Sequence, residues 1–362
     1  MSFCGSYRHD DVHFLLKRLT PPPFVDLASK ERLIQSGARH YSEMLSPEAL
    51  PSARYLQVFK ASFAANRQRM ARDCLSLGAI IAARCSGPIA LLSLVRAGTP
   101  IGVIVRHLLH SVMGRKVVHY SLSIIRDRGL DEVALQHVLD KHAPESIAFI
   151  DGWTGKGVIS RVLEQAVNDF NRRYSTAIDS GLYVLADLAG TAAAAASSAD
   201  YLIPSSILNA TISGLVSRSV LNESIGPGDF HGCVYYDALA DQDLSREFAD
   251  GMIAEAIAQA AAAGIPEAEP IDRAKVALVA AEFLRATMGR YGVSDQNLVK
   301  PGIGEATRVL LRRVPGLLIL RDADAPDVAH LKVLGAEKSV RMIVDPDLPY
   351  QAVSLIRSAR DG

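Results

Sequence analysis

Cysteine, charge of one sign and long apolar runs are all scarce in this sequence, and each shortage excludes something. The four cysteines among 362 residues, Cys4, Cys74, Cys85 and Cys233, are scattered and form no Cys-x-x-Cys pair. That pattern argues against a metal cluster or a disulfide framework and fits free thiols in a reducing compartment. Lysine plus arginine number 39, and so do aspartate plus glutamate. Net charge therefore points to neither a nucleic acid nor a membrane, and any anion site must come from local placement of cations. The most apolar window, about residues 75–95, is interrupted by Arg84, Gly87 and Pro88. It reads as helix, turn and strand rather than as a membrane span. The first ten residues, Met1 to Asp10, offer no apolar stretch suited to a signal peptide. The expectation is a soluble, cytoplasmic protein with no membrane partner.

What is present is a chain 49% hydrophobic and 22% charged, enough for a sizeable core. Its length favours two domains. Arg54 to Ala83 reads as helix. Short apolar runs then alternate with helical stretches: strands at 89–95, 117–124, 146–150 and 182–186, with helices to Met113, over 132–141 and to about Arg173. This alternation predicts an α/β fold, a mainly parallel sheet covered on both faces. The Ala189 to Ala196 tract reads as a small-residue packing element, and 248–290 as Ala-rich helix. A cut near 295 leaves domains of 1–295 and 296–362. The smaller one reads helix (304–313), strand (316–320), helix (326–335), strand (340–344), helix (350–357).

In an open parallel sheet, ligands bind where strands end and helices begin. Two such loops stand out. Asp151-Gly152-Trp153-Thr154-Gly155-Lys156-Gly157 combines glycines, which let backbone N–H groups approach a phosphate, with an acid suited to ribose hydroxyls or Mg²⁺. Arg96-Ala97-Gly98-Thr99 places a cation among small residues, as a diphosphate site needs. The spacing matches neither a P-loop nor GxGxxG. The structural alternative for both is a tight turn.

The first loop, with Phe149 and Ile150 before it, resembles the phosphoribosyl-diphosphate (PRPP) loop of type I phosphoribosyltransferases, and Leu94 to Gly98 resembles their diphosphate loop. Gly5-Ser6-Tyr7, residues 11–17, residues 35–45 and residues 119–129 resemble the StiP family of tellurite-resistance and stress operons. That family is described both as predicted phosphoribosyltransferases with a Pelota-type RNA-binding domain and as cysteine proteases. In place of the two adjacent acids usual in a PRPP loop, this chain has Asp151 followed by Gly152. The resemblance implies a type I phosphoribosyltransferase-like sheet domain with helical additions, followed by a small α/β Pelota-like domain.

Other groups add detail. Arg126 and Arg128 could neutralise a diphosphate or hold an acidic substrate. Asp229-Phe230-His231-Gly232-Cys233 offers a thiol and an imidazole on one strand face, against the commoner reading of a buried free cysteine. Residues 300–308 resemble the Gly-x-Asn-Glu-x-x-Lys signature of Pelota-type domains, with Gly304 at the Asn position, Glu305 retained and Arg308 at the Lys position; Arg308 and Arg312 could bind RNA phosphates. The expected activity is glycosyl transfer from PRPP with Mg²⁺. In it Thr154 to Gly157 hold the 5′-phosphate and Asp151 the ribose and metal, while Arg96 to Thr99, Arg126 and Arg128 neutralise the departing diphosphate. The alternatives are a cysteine protease using Cys233 and His231, and a non-catalytic nucleotide sensor that binds structured RNA.

Overall fold

Side-chain alternation along short strands builds the central layer. In the computed structural model, which describes residues 3–21, 23–48 and 50–357, six strands form one parallel sheet: β1 (His13–Leu15), β2 (Ile89–Leu94), β3 (Val117–Leu122), β4 (Ile147–Thr154), β5 (Leu182–Asp187) and β6 (Ala194–Ser197). Their order is β1-β3-β2-β4-β5-β6. Successive side chains point to opposite faces. Leu91, Ala148, Ile150 and Leu185 join one core, and Ala90, Leu92, Phe149 and Val184 the other.

Short helix α1 (Leu27–Gln35) precedes the 32-residue α2 (Ala53–Arg84), which covers the first face with α3 (Gly98–Ser111) and α6 (Ser245–Ala263). The second face carries α4 (Glu132–Leu139) and α5 (Val158–Tyr174). Leu163, Val167 and Phe170 of α5 are buried at spacings of four and three, one stripe of a helix. Each such side chain stabilises by about 1.5–3 kcal/mol. Among the described residues no helix is long and apolar enough to cross a membrane.

Two more helices, α7 (Arg273–Tyr291) and α8 (Ile303–Arg312), precede and open the C-terminal unit, and α9 (Ala329–Glu337) follows. This unit has four strands, β7 (Val299–Pro301), β8 (Pro315–Leu320), β9 (Arg341–Val344) and β10 (Ala352–Ile356), in the order β7-β10-β8-β9. Phe283, Leu284 and Met288 of α7 pack on one face with Ile319 and Val353. On the other, Ile303, Ala306 and Leu310 of α8 belong to the same apolar cluster as the first core of the large sheet. The two units therefore share a core.

Several sequence expectations change. The segment 350–357 is strand, not helix. Its run Ala-Val-Ser-Leu-Ile is only five residues long and lies inside the small sheet, where both faces are buried. The Ala-rich stretch splits into α6 and α7 around residues 264–272. The Ala tract contributes edge strand β6, and β1 lies near the N-terminus, where no strand was expected.

Candidate functional site

Strand order reverses beside β2: the chain passes to β3 on one side and returns to β4 on the other. At such a switch point the connections leave in opposite directions and open a crevice at the carboxyl ends of the strands. Here α8 of the C-terminal unit borders that crevice, giving a cleft of about 320 Å³. Its lining includes nine lysine or arginine side chains and three carboxylates.

The residues singled out from sequence divide clearly. Arg96, Arg126, Asp151, Thr154, Gly155, Lys156, Gly157, Glu305, Arg308 and Arg312 all line the cleft. Ala97, Gly98, Thr99 and Gly152 do not. Thr99 is fully buried, its hydroxyl 2.7 Å from Ser121 Oγ. Gly98 lets the start of α3 lie against β4, where a Cβ would meet Ile150 O and the Asp151 backbone. Arg128 turns away to Glu43 at 3.2 Å, outside the cleft.

The expected phosphate loop also begins later than its sequence suggests. Asp151 to Thr154 extend β4 and pair with β5 (Asp151 opposite Val184, Thr154 opposite Asp187), so their backbone belongs to a sheet ladder. The Thr154 hydroxyl donates to buried Asp187 at 2.5 Å. Asp187 also accepts from the N–H groups of Ala189, Thr191 and Ala192. Thr154 is thus fixed as part of a polar knot, and the free loop is Gly155 to Gly157.

Charge in the cleft is unbalanced. Arg96 is 7% exposed; one of its terminal nitrogens reaches Glu48 at 2.6 Å and the Val216 carbonyl at 3.0 Å, while its Nε has no partner. Arg126 and Arg218 both stack on the Tyr41 ring at 5.5 Å. Arg312 Nε donates to Asn209 at 2.6 Å. Arg308 bonds Glu305 at 2.7 Å and lies over Trp153 at 4.4 Å. Burial works against Glu305, yet Arg308 and Lys300 hold its carboxyl below the usual range. Asp151 behaves oppositely: burial raises it to about 6 although Arg308 and the Gly152 N–H oppose that. The Mg²⁺ expected at Asp151 does not fit this donor set. Glu305, the carboxylate that acts on Asp151, is tied to Arg308, and among the described residues no group of three or more His, Cys, Asp or Glu could hold a metal.

Two lysines pay for this crowding. Burial, then Arg218, Arg312 and Arg313, bring Lys30 down from 10.5 to about 7, with Glu31 opposing. Burial and Lys300, with a smaller contribution from Arg126, do the same to Lys156, with Glu305 and Asp295 opposing. Between these folded values and 10.5 the unfolded chain binds more protons than the native one, so stability rises with pH. The melting temperature should therefore increase from about pH 7 to about pH 9, and Lys30→Met with Lys156→Met should flatten that slope. Identical slopes in the two proteins would refute the assignment.

The Pelota-like signature faces inward. A Cβ on Gly304 would collide with the Trp153 ring, which explains a glycine where the signature has asparagine. The protease pair does not meet. Cys233 is fully buried, and burial pushes its thiol to about 12 although Arg18 lowers it. The His231 ring instead bonds Ser123 Oγ at 2.8 Å, and its backbone N–H bonds Asp131 at 2.6 Å. No described cysteine lines the cleft. The sequence reading missed Lys30, Glu48 and Asp187, which carried no local motif. Arg218 ends the segment Ser213 to Arg218, which by sequence could supply substrate contacts or be a capped helix, and it lines the cleft.

Residues 5–253 match the family described as tellurite-like stress resistance cysteine protease StiP, and residues 278–358 match the PELOTA RNA binding domain. The chain is 39% identical over 371 aligned residues to "Cysteine protease StiP" of Acinetobacter baylyi (strain ATCC 33305 / BD413 / ADP1), covering 99% of this chain and 96% of that protein. These likenesses overturn the expectation of glycosyl transfer: family and relative are both described as proteases, and neither description supports PRPP or magnesium. Matched through most of its length by one family and through nearly all of it by a curated member, this chain belongs to the StiP family and carries a Pelota-type domain at its C-terminus.

Proposed function

We propose that the chain is a thiol-dependent peptidase, the activity named for its family. Likeness along the whole chain to the Acinetobacter baylyi relative carries this reading. Three cysteines fall within the matched span 5–253. Cys74 lies within helix α2 and Cys85 caps it, whereas Cys233 sits on a two-residue strand beside Arg18, a cation that favours the thiolate. The nucleophile on this reading is Cys233 and the base is His231. An enclosed, protonated thiol is inert, so the peptidase is latent in this conformation, and the segment bearing His231 and Cys233 has to open before attack. The test is cleavage of denatured casein by the purified chain, with peptide mapping after iodoacetamide. Activity should fall in step with alkylation of Cys233; cleavage that survives complete alkylation of every cysteine would remove the thiol from the mechanism.

For the fold, the order reversal at β2 and the cleft beside it support a type I phosphoribosyltransferase-like architecture without that activity.

The C-terminal match supports a second reading, RNA binding by the tail. Glu305 and Arg308 face Trp153 and the cleft, so RNA would reach them only when the tail lifts. Gly304→Asn restores the signature amide and wedges against Trp153. Affinity for a structured RNA at low salt should rise about tenfold as the competent fraction grows, and should fall steeply with added salt. Unchanged affinity, together with unchanged proteolytic protection of residues 297–313, would refute it.

A further inference from the structure

A second hollow, of about 690 Å³, lies where α2 meets α6 and edge strand β6, and it shares no lining residue with the cleft. Arg69, Arg72 and Asp73 stand on one face of α2, at spacings of three and four. Glu255 faces them from α6, and Glu267 and Glu269 from the connection that follows it. Four carboxylates and two arginines thus share one hollow. They are not equally satisfied. Glu255 takes Arg67 at 3.0 Å and Gln259 at 2.9 Å, and Arg72 reaches Glu269 at 3.8 Å. Arg69 lies over the Tyr201 ring at 4.0 Å. Asp73, only 8% exposed, has an Oδ2 with no hydrogen-bond partner.

A buried carboxylate oxygen without a donor bears its desolvation cost uncompensated. Burial accordingly raises the Asp73 carboxyl, against the pull of Tyr201, Arg69 and Arg72. Helix propensity does not account for an aspartate in mid-helix; a donor brought by a ligand does. We propose that this hollow binds a linear polyamine, one ammonium group donating to Asp73 and the remaining positive charge facing Glu267 and Glu269 at the exposed rim. An ammonium head suits an enclosed carboxylate because it is compact, carries the opposite charge and offers three donors. A metal ion does not suit the donor set: among the described residues no group of three or more His, Cys, Asp or Glu could hold one. An anion would meet four carboxylates against two arginines that are already engaged. Acids spread from a buried floor to an exposed rim match a chain of separated positive charges better than a single one. The site lies apart from Cys233 and His231, neither of which lines it, so binding does not depend on peptidase activity.

The experiment uses the full-length chain in calorimetry and thermal melts, with spermidine, Nα-acetyl-lysinamide and Mg²⁺ at matched ionic strength. Spermidine should bind and raise the melting temperature, since a ligand held only by the native state stabilises it. Asp73→Asn keeps the side chain's shape, removes its charge and should weaken spermidine binding at least about tenfold. Without ligand this variant should melt no lower than the wild type, because it removes a desolvated charge; a lower melt would mark the carboxylate as structural and overturn the site. Glu267→Gln, at the exposed rim, should fold as the wild type does and weaken spermidine about threefold, leaving the single ammonium of Nα-acetyl-lysinamide unaffected. Nα-acetyl-lysinamide binding as tightly as spermidine would overturn the polyamine assignment, and an equal melt shift with Mg²⁺ would reduce it to charge screening. A melt unmoved by millimolar spermidine, or binding that both variants leave intact, would overturn it as well.

Discussion

Asp187→Ala should destabilise the protein by about 4 kcal/mol, because it removes a buried charged acceptor on which four donors converge. The carboxylate is buried at the end of β5 and accepts from the Thr154 hydroxyl and from three backbone N–H groups, those of Ala189, Thr191 and Ala192. Each contact is charge-assisted and alanine replaces none of them; the Ala189 N–H keeps the Thr154 hydroxyl oxygen at 3.2 Å, while the Thr191 and Ala192 N–H groups lose their side-chain acceptor. With unfolding entropy scaling with chain length, the loss corresponds to a melting temperature lower by about 5 °C. Asp187→Asn keeps an acceptor of the same shape and should cost less than half as much. The site should feel the change too, since Thr191 also bonds Ser160 and crowds Gly157 in the cleft loop. Chemical denaturation of the three proteins is the measurement. An alanine variant within about 1 kcal/mol of wild type, in the range of an ordinary surface substitution, would show that the knot is dispensable.

Cys233→Ala should lower peptide hydrolysis by on the order of a thousandfold or more, as removal of a nucleophile does in enzymes where it forms the acyl intermediate. Its effect on stability should be small, about 1 kcal/mol, since one buried sulfur is lost and the short strand beside Lys17 and Arg18 keeps its backbone pairing. That contrast makes the test clean: a folded, melting-competent protein without activity. His231→Ala should act in the same direction with the same stability check. Cys4→Ala should change neither quantity, because Cys4 lies outside the matched family span and its thiol is raised mainly by burial. Full activity in Cys233→Ala with loss in Cys4→Ala would move the nucleophile to the N-terminus. Full activity in both would end the reading built on these two thiols.

How much the chain revealed in advance depended on length scale. Strands β2, β3, β4 and β5 were legible because each is a short, mostly apolar run next to turn signals. Three-residue β1 and the alanine-built β6 were not, since neither offers enough contrast for a period of two to show. Arg96, Asp151, Lys156 and Arg308 could be picked out because they flank recognisable strand or helix ends. Lys30 could not be assigned to the cleft, as nothing near it in sequence marks it, and Ser213 to Arg218 read equally as substrate contacts or as a capped helix. The departure at Gly304 was visible as a missing asparagine, but only the Trp153 ring lying against it gives the cause.

By itself, then, the sequence determined the parallel α/β layer, the small α/β tail and the two strand-end loops, because apolar periodicity and turn chemistry act over a few residues. Tertiary structure alone decided three things: that the tail's signature face closes on the sheet, that Cys233 and His231 part company, and that cations from positions 30, 96, 218 and 312 meet. Those outcomes rest on crossover connections and packing between segments tens to hundreds of residues apart, where no local period records which side chains will face each other.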